Sequence, residues 1–181
     1  MEPSSWQQVA AVLRYANANN IPAIVIGKGS NLLFDDAGLR GVVIKIGRGL
    51  SRLTVTGTIV RAESGISTPR LARAVGLAGL TGLEHIIGIP GTLGGLVFMN
   101  GGSMRKAIGD SIVEIKAMDW QGHMRVFRRE ECEFAYRHSR FQSEDCVIIE
   151  ATIELAGGSR NATVAEMLRI LRDRRRKFPL T

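Results

Sequence analysis

The chain has 181 residues, 45% hydrophobic and 23% charged, with 24 Lys and Arg against 17 Asp and Glu and a formal net charge of +7. This length and apolar content suit one globular domain or two small subdomains, and they exclude a mainly disordered chain. No apolar run approaches the ~20 residues of a membrane span, and Met1-Glu2-Pro3-Ser4-Ser5-Trp6 lacks a basic segment leading into an apolar one, so neither a span nor a signal peptide is expected.

Ser4 and Ser5 each have a Gln three residues on, and Val9, Val12, Leu13 and Ala16 follow at helical spacing, so a first helix is expected up to Asn19-Asn20 and Pro22. Ala23-Ile24-Val25-Ile26 and Val42-Val43-Ile44-Lys45-Ile46 are short continuous apolar runs. They read as strands buried on both faces, hence parallel. Leu53–Val55 and Ile59–Ala62 flank Thr56-Gly57-Thr58, a hairpin signal. Thr68 before Pro69 reads as N-cap and first turn of a second helix with Leu71, Ala74, Val75 and Ala78 on its buried face, closed by Gly79 or Gly82. Further strands are expected over 112–118, 124–127 and 146–155. Thr163 and Glu166 form a T-x-x-E capping box for a last helix, which ends in Arg172-Asp173-Arg174-Arg175-Arg176-Lys177 with Pro179 beyond. Cations at a helix C-terminus oppose the macrodipole, which makes that run a solvated helix end. The order of elements predicts an α+β fold, with a small parallel portion (about 1–65) before an antiparallel one (about 66–181).

Nineteen of the 24 basic residues are Arg, a composition that favours an anionic partner without choosing among phosphate ligand, nucleic acid and acidic protein face. Cys132 and Cys146 lack metal or redox spacing, so free thiols in a reducing cytoplasm are expected. His85, His123 and His138 share no ligand spacing with each other or with the cysteines, so no metal site is expected. Glu84 beside His85 is an acid–base pair only if the two adjacent side chains converge, which neighbours rarely do.

Gly27-Lys28-Gly29-Ser30-Asn31-Leu32 directly follows an expected buried strand. Glycines let the backbone bend and approach a ligand, and successive N–H groups in such a turn can form an anion nest, for which a pyrophosphate is a natural guest. The segment is neither a P-loop nor the G-x-G-x-x-G fingerprint, because the required Gly and Lys positions are absent. Gly88-Ile89-Pro90-Gly91-Thr92-Leu93-Gly94-Gly95 is a second glycine-rich segment. There Thr92 is placed to cap a helix running through Met99, with Asn100-Gly101-Gly102 after it. In Tyr136-Arg137-His138-Ser139-Arg140, Arg137 carries a fork suited to a carboxylate and Tyr136 a ring suited to stacking. The plainer reading of that cluster is a surface loop.

Taken in order, Gly27 to Leu33, Gly82-Leu83-Glu84, Gly88 to Gly95, Met99 to Gly102 and Phe134 to Phe141 resemble the UDP-N-acetylenolpyruvoylglucosamine reductase family, flavoenzymes of bacterial peptidoglycan precursor synthesis. The resemblance implies an FAD-binding domain of the vanillyl-alcohol-oxidase/PCMH type, made of two α+β subdomains with the cofactor between them. It implies that Gly27, Lys28, Gly29, Ser30, Asn31 and Leu32 hold the pyrophosphate. It further implies that Gly88, Ile89, Pro90, Gly91, Thr92, Gly94, Gly95 and Asn100 lie along the pyrophosphate and flavin. The first loop has no His, so noncovalent FAD is the expectation. In the family NADPH supplies hydride and a nucleotide-sugar enolpyruvyl ether receives it. Arg137 resembles the family's Arg that polarises the substrate carboxylate, and Tyr136 would line the substrate side.

The family also has a third domain, which supplies a proton-donor Ser and an assisting Glu. Phe178-Pro179-Leu180-Thr181 resembles the lead-in to it, and these 181 residues are expected to bind FAD without efficient turnover. Two rival readings are a flavin-binding or interaction module without reductase activity and a basic nucleic-acid binder. The second is disfavoured because aromatics are only 6% of the chain and do not interleave with the basic run.

Overall fold

The computed structural model describes residues 1–177, so the expectations placed on Phe178 to Thr181 lie outside the described residues. Helix α1 (Trp6–Ala18) opens on Ser5, whose hydroxyl accepts from the Gln8 amide, while Gln8 reaches back to the Ser4 amide at 2.8 Å. Val9, Ala10, Leu13 and Ala16 form its buried stripe. Strands β1 (Ala23–Ile26) and β2 (Val42–Lys45) pair in parallel as a two-stranded sheet. They are not buried on both faces, since Val25 stays 36% exposed. A two-stranded sheet has one helix-covered side and two edges, so the continuous apolar run marks parallel pairing here rather than full enclosure.

Strands β3 (Leu53–Thr56) and β4 (Ile59–Glu63) form the expected hairpin, with Gly57 in the left-handed region at the turn. The chain then enters α2 (Thr68–Leu77), β5 (Leu80–Thr81), α3 (Leu93–Phe98) and the short hairpin of β6 (Gly102–Ser103) and β7 (Lys106–Ala107). It continues as β8 (Ile112–Asp119), β9 (Met124–Arg128), β10 (Cys146–Glu154), β11 (Ala156–Gly157) and α4 (Arg160–Lys177). A five-stranded sheet in the order β3-β4-β10-β8-β9 organises the molecule, and all its pairings are antiparallel.

The hairpin β3–β4 belongs to this sheet, although the sequence boundary near 65 placed it with the parallel portion. Its partner is β10, some ninety residues on, and the pairing Val60↔Ile153 and Ala62↔Ala151 has no local signal. The central strands β8 and β10 are covered on both faces. Ala117, Ile148 and Ala151 join the core under α2, α3 and α4, whereas Met118, Val147 and Ile149 meet Val9 and Leu13 of α1 and Ile44 of β2. A register shift between Ile148 and Glu150 sits where these two cores meet.

Two helix starts differ from expectation by a few residues. The N-cap of α2 is Ser67 rather than Thr68, because the Thr68 hydroxyl donates to the Ile89 carbonyl instead. Helix α4 begins three residues before Thr163. Ser159 accepts from the Ala162 amide, and Thr163 is buried inside the helix against Gly76 of α2. The expected box partner Glu166 turns to Arg169, at 2.6 and 2.8 Å.

Candidate functional site

The two glycine segments, sixty residues apart, meet in space. Ser30 Oγ donates to the Pro90 carbonyl at 2.6 Å, and Gly27 lies so close to Thr92 that a Cβ there would overlap the threonine hydroxyl. The second segment is itself pinned from behind. Thr68 donates from its hydroxyl to Ile89 and from its amide to Gly91, Leu93 N donates to Ile66 O at 2.9 Å, and Gly94 N donates to Ser64 O at 2.8 Å. Ser64 packs beneath Gly94 with its own hydroxyl buried and unpartnered among the described residues. Sequence reasoning missed Ser64 and the role of Thr68, because nothing local to Glu63-Ser64-Gly65 or Thr68-Pro69 points to residues 89–94.

The first segment's own donors are uncommitted. The backbone N–H groups of Lys28, Gly29, Ser30 and Asn31 find no acceptor among the described residues. Gly29 adopts φ 73°, and a Cβ on it would meet nothing within 4 Å, so the backbone faces open space there. Lys28, Ser30, Asn31 and Leu32 are exposed. A run of free amides on a left-handed turn with a lysine beside it is an anion-binding donor set. Thr92 caps α3 by accepting from Gly95 N at 3.5 Å, which adds the positive end of a short helix to the same place.

Helix α3 connects this place to the Tyr136-Arg137 cluster. At its C-terminal end the Phe98 carbonyl accepts from Ser139 Oγ at 2.7 Å and from Gln142 Nε2 at 3.0 Å. Asn100 follows with its amide engaged at both ends: Nδ2 donates to Ala135 O at 2.8 Å, and Oδ1 accepts from Gly109 N at 3.0 Å. Its side chain therefore staples two loops together. Ala135 and His138 exchange backbone hydrogen bonds of 3.1 Å around a tight turn with Tyr136 and Arg137 at its tip. Arg137 sits there at φ 55°, its carbonyl held by Gln142 Nε2 at 3.0 Å and its guanidinium without a partner among the described residues. Tyr136 is 93% exposed. Gln142 is a further residue that spacing could not reveal, since its partners lie in α3 and in the turn.

At the other end of the second segment, Arg174 of α4 lies directly over Gly88, where a Cβ would strike its side chain. The basic end of α4 is thus partly packed, and is not wholly the solvated terminus that its charge suggested. Burial pushes the thiols of Cys132 and Cys146 up to about 11, so neither is a ready nucleophile at neutral pH. Among the described residues no cluster of His, Cys, Asp and Glu is arranged to hold a metal ion, and no helix is long and apolar enough to cross a membrane.

A family model described as an FAD binding domain matches residues 1–128. The chain belongs to this family of FAD-binding domains. It is also similar to UDP-N-acetylenolpyruvoylglucosamine reductase 1 of Corynebacterium glutamicum, 39% identical over 178 residues that make up 98% of this chain and 53% of that protein. The corresponding reductase of Heliobacterium modesticaldum is 39% identical and is covered over 57% of its length. Among solved structures, the reductase from Thermus caldophilus superposes with a TM-score of 0.80 at 25% identity, over 96% of this chain and 61% of the other. A solvent-stable cholesterol oxidase shares the fold alone, with a TM-score of 0.70 at 21% identity over 86% of this chain. The α+β arrangement of that reductase, shared by the oxidase, is therefore the arrangement here. The chain spans little more than half the length of the reductases it resembles, and corresponds to their FAD-binding part.

The donor set fits the cofactor this family binds. A diphosphate matches the free amides of residues 28–31 with Lys28, and Gly91 and Gly95 keep the adjoining surface free of side-chain bulk.

Proposed function

We propose that this chain is the FAD-binding part of an NADPH-dependent, cytoplasmic reductase that converts UDP-N-acetylglucosamine enolpyruvate to UDP-N-acetylmuramate. The observation that carries the reading is the Ser30–Pro90 contact, which joins two glycine segments into one cradle of uncommitted amides. When bound, FAD would supply the hydride-transfer chemistry that links the nicotinamide to the enolpyruvyl double bond. The residues of this chain hold and orient. The backbone of 27–32 takes the diphosphate without a covalent link, and 88–95 line the adjoining surface. Arg137 presents an uncommitted guanidinium on a braced turn, suited to a bidentate grip on the enolpyruvyl carboxylate, where it would stabilise negative charge as hydride adds. Tyr136 stands beside it at the tip of the same turn.

For these 181 residues taken alone, the expected property is cofactor binding. Turnover needs a positioned proton donor, worth on the order of 10²–10⁴-fold in rate, which this reading assigns to the remaining length of the relatives. The test is titration of purified protein with FAD, followed by flavin fluorescence and by the thermal transition. Saturable quenching with a raised transition supports the reading, and a folded protein indifferent to FAD overturns it.

A further inference from the structure

The three consecutive carbonyls of Ile89, Pro90 and Gly91 are held from two directions. Thr68 of α2 takes the outer two. Its hydroxyl donates to Ile89 O, and its amide donates to Gly91 O at 3.3 Å. The middle carbonyl, of Pro90, accepts from Ser30 Oγ at 2.6 Å. One residue thus grips the second segment on both sides of the point where the first segment meets it.

The stretch has little means of fixing itself. Pro90 has no N–H to donate, and Gly91 has neither a side chain to pack nor a backbone restricted by one. The start of α2 supplies the anchor through Thr68. Ser67 makes no side-chain cap bond, and Pro69 brings no amide. The seam continues as an antiparallel bridge between Ser67 and Thr92, with Leu93 N donating to Ile66 O at 2.9 Å. Held at Ile89 and at Gly91, the Pro90 peptide cannot move away from Ser30 without loosening a bond to Thr68. Thr68 is 0% exposed, whereas Ser30 is exposed, so Thr68 cannot touch a bound cofactor and acts on one only through residues 89–91.

We infer that Thr68 is a positioning residue of the cofactor site. By holding the carbonyls of Ile89 and Gly91 it keeps Pro90 O opposite Ser30, and so keeps the uncommitted amides of residues 28–31 seated against the second segment. The inference rests on the reading that this cradle takes FAD. It separates Thr68 from an ordinary buried threonine, whose loss would lower stability without reference to the Ser30–Pro90 bond.

The test is fluorescence titration with FAD of the parent chain, T68V, T68S, S30A and the double variant T68V/S30A, each shown to be folded by its urea transition. T68V keeps the shape and removes the hydroxyl donor, and FAD affinity should fall roughly tenfold. T68S restores the donor, and affinity should return to within about threefold of the parent. In the S30A background T68V should weaken binding by less than about threefold, because the contact that Thr68 serves is already gone. Should T68V not fold, T68C takes its place in the same cycle, since a thiol is a weaker donor, and a smaller loss with the same non-additivity is expected. Parent-like affinity in the donor-deficient variant, no recovery in T68S, or losses that multiply independently in the double variant overturns the inference alone. A folded parent chain indifferent to FAD overturns the cofactor reading, and this inference with it.

Discussion

Ser30 and Pro90 are joined by a 2.6 Å hydrogen bond from the serine hydroxyl to the proline carbonyl. That bond converts two separate bends into one surface, because the strand β1 that delivers Ser30 and the helix α3 that follows Pro90 belong to different layers of the molecule. The cradle thus depends on close approach of two backbones, and small changes at the contact should be felt in cofactor affinity.

Gly27→Ala places a methyl group against the Thr92 hydroxyl. The neighbour must move, at a cost of about 1–3 kcal/mol for overpacking. FAD affinity should fall roughly tenfold or more as the two segments separate. Fluorescence titration and urea unfolding measure the two effects separately.

Thr92→Val keeps the shape and removes the cap of α3. The 3.5 Å cap bond is long, so a loss of about 1 kcal/mol is expected. For a domain of this size that lowers the thermal midpoint by roughly 2–4 °C, readable by calorimetry.

Asn100→Asp keeps a side chain tolerant of the φ of 40° but replaces the donor facing Ala135 O with a second acceptor. At 8% exposure the new carboxylate is nearly dry, and a destabilisation of roughly 1–3 kcal/mol or more follows. The turn loses its staple to α3, so trypsin should cut after Arg137 faster than in the parent chain.

Arg137→Ala should do the reverse. The side chain is exposed and unpartnered among the described residues, and both residues meet the same positive φ, so stability should stay within about 0.5 kcal/mol. FAD affinity should be unchanged. A large loss of either would mean that Arg137 serves the scaffold rather than the substrate.

Acid should weaken the region around the 84–86 turn first. Burial lowers the His85 pKa, so between its folded value and the ordinary 6.5 the unfolded state binds the extra proton. His85 therefore contributes stability above 6.5 that is lost as pH falls through the folded value. For Glu84, burial acts upward but is outweighed by hydrogen bonds, led by that from Thr81, and its folded value lies below the ordinary 4.5. Its contribution is likewise present above 4.5 and lost as pH falls through the lower folded value. Both have the same sign, so urea midpoints should decline steadily on acidification from neutrality, and H85Q should remove the earlier part of the decline.

Much of the molecule was legible one segment at a time. The Ser5 cap of α1, the Gly57 hairpin and the Thr92 cap of α3 are local chemistry, and the structure has each of them. The misplaced starts of α2 and α4 share one cause. Thr68 and Thr163 are good caps in isolation, but the tertiary structure engages one with Ile89 and buries the other against Gly76.

By itself the sequence determined where the backbone bends, which runs pair or coil, and which segments carry glycines and arginines suited to an anionic cofactor, because those depend on residues within a few positions of each other. Only the tertiary structure decided that β3 and β4 join β10, that Ser30 closes on Pro90, and that Asn100 and Gln142 brace the turn bearing Arg137. Those contacts span tens of residues, and their energy comes from burial and hydrogen bonding between surfaces that do not exist until the chain has folded.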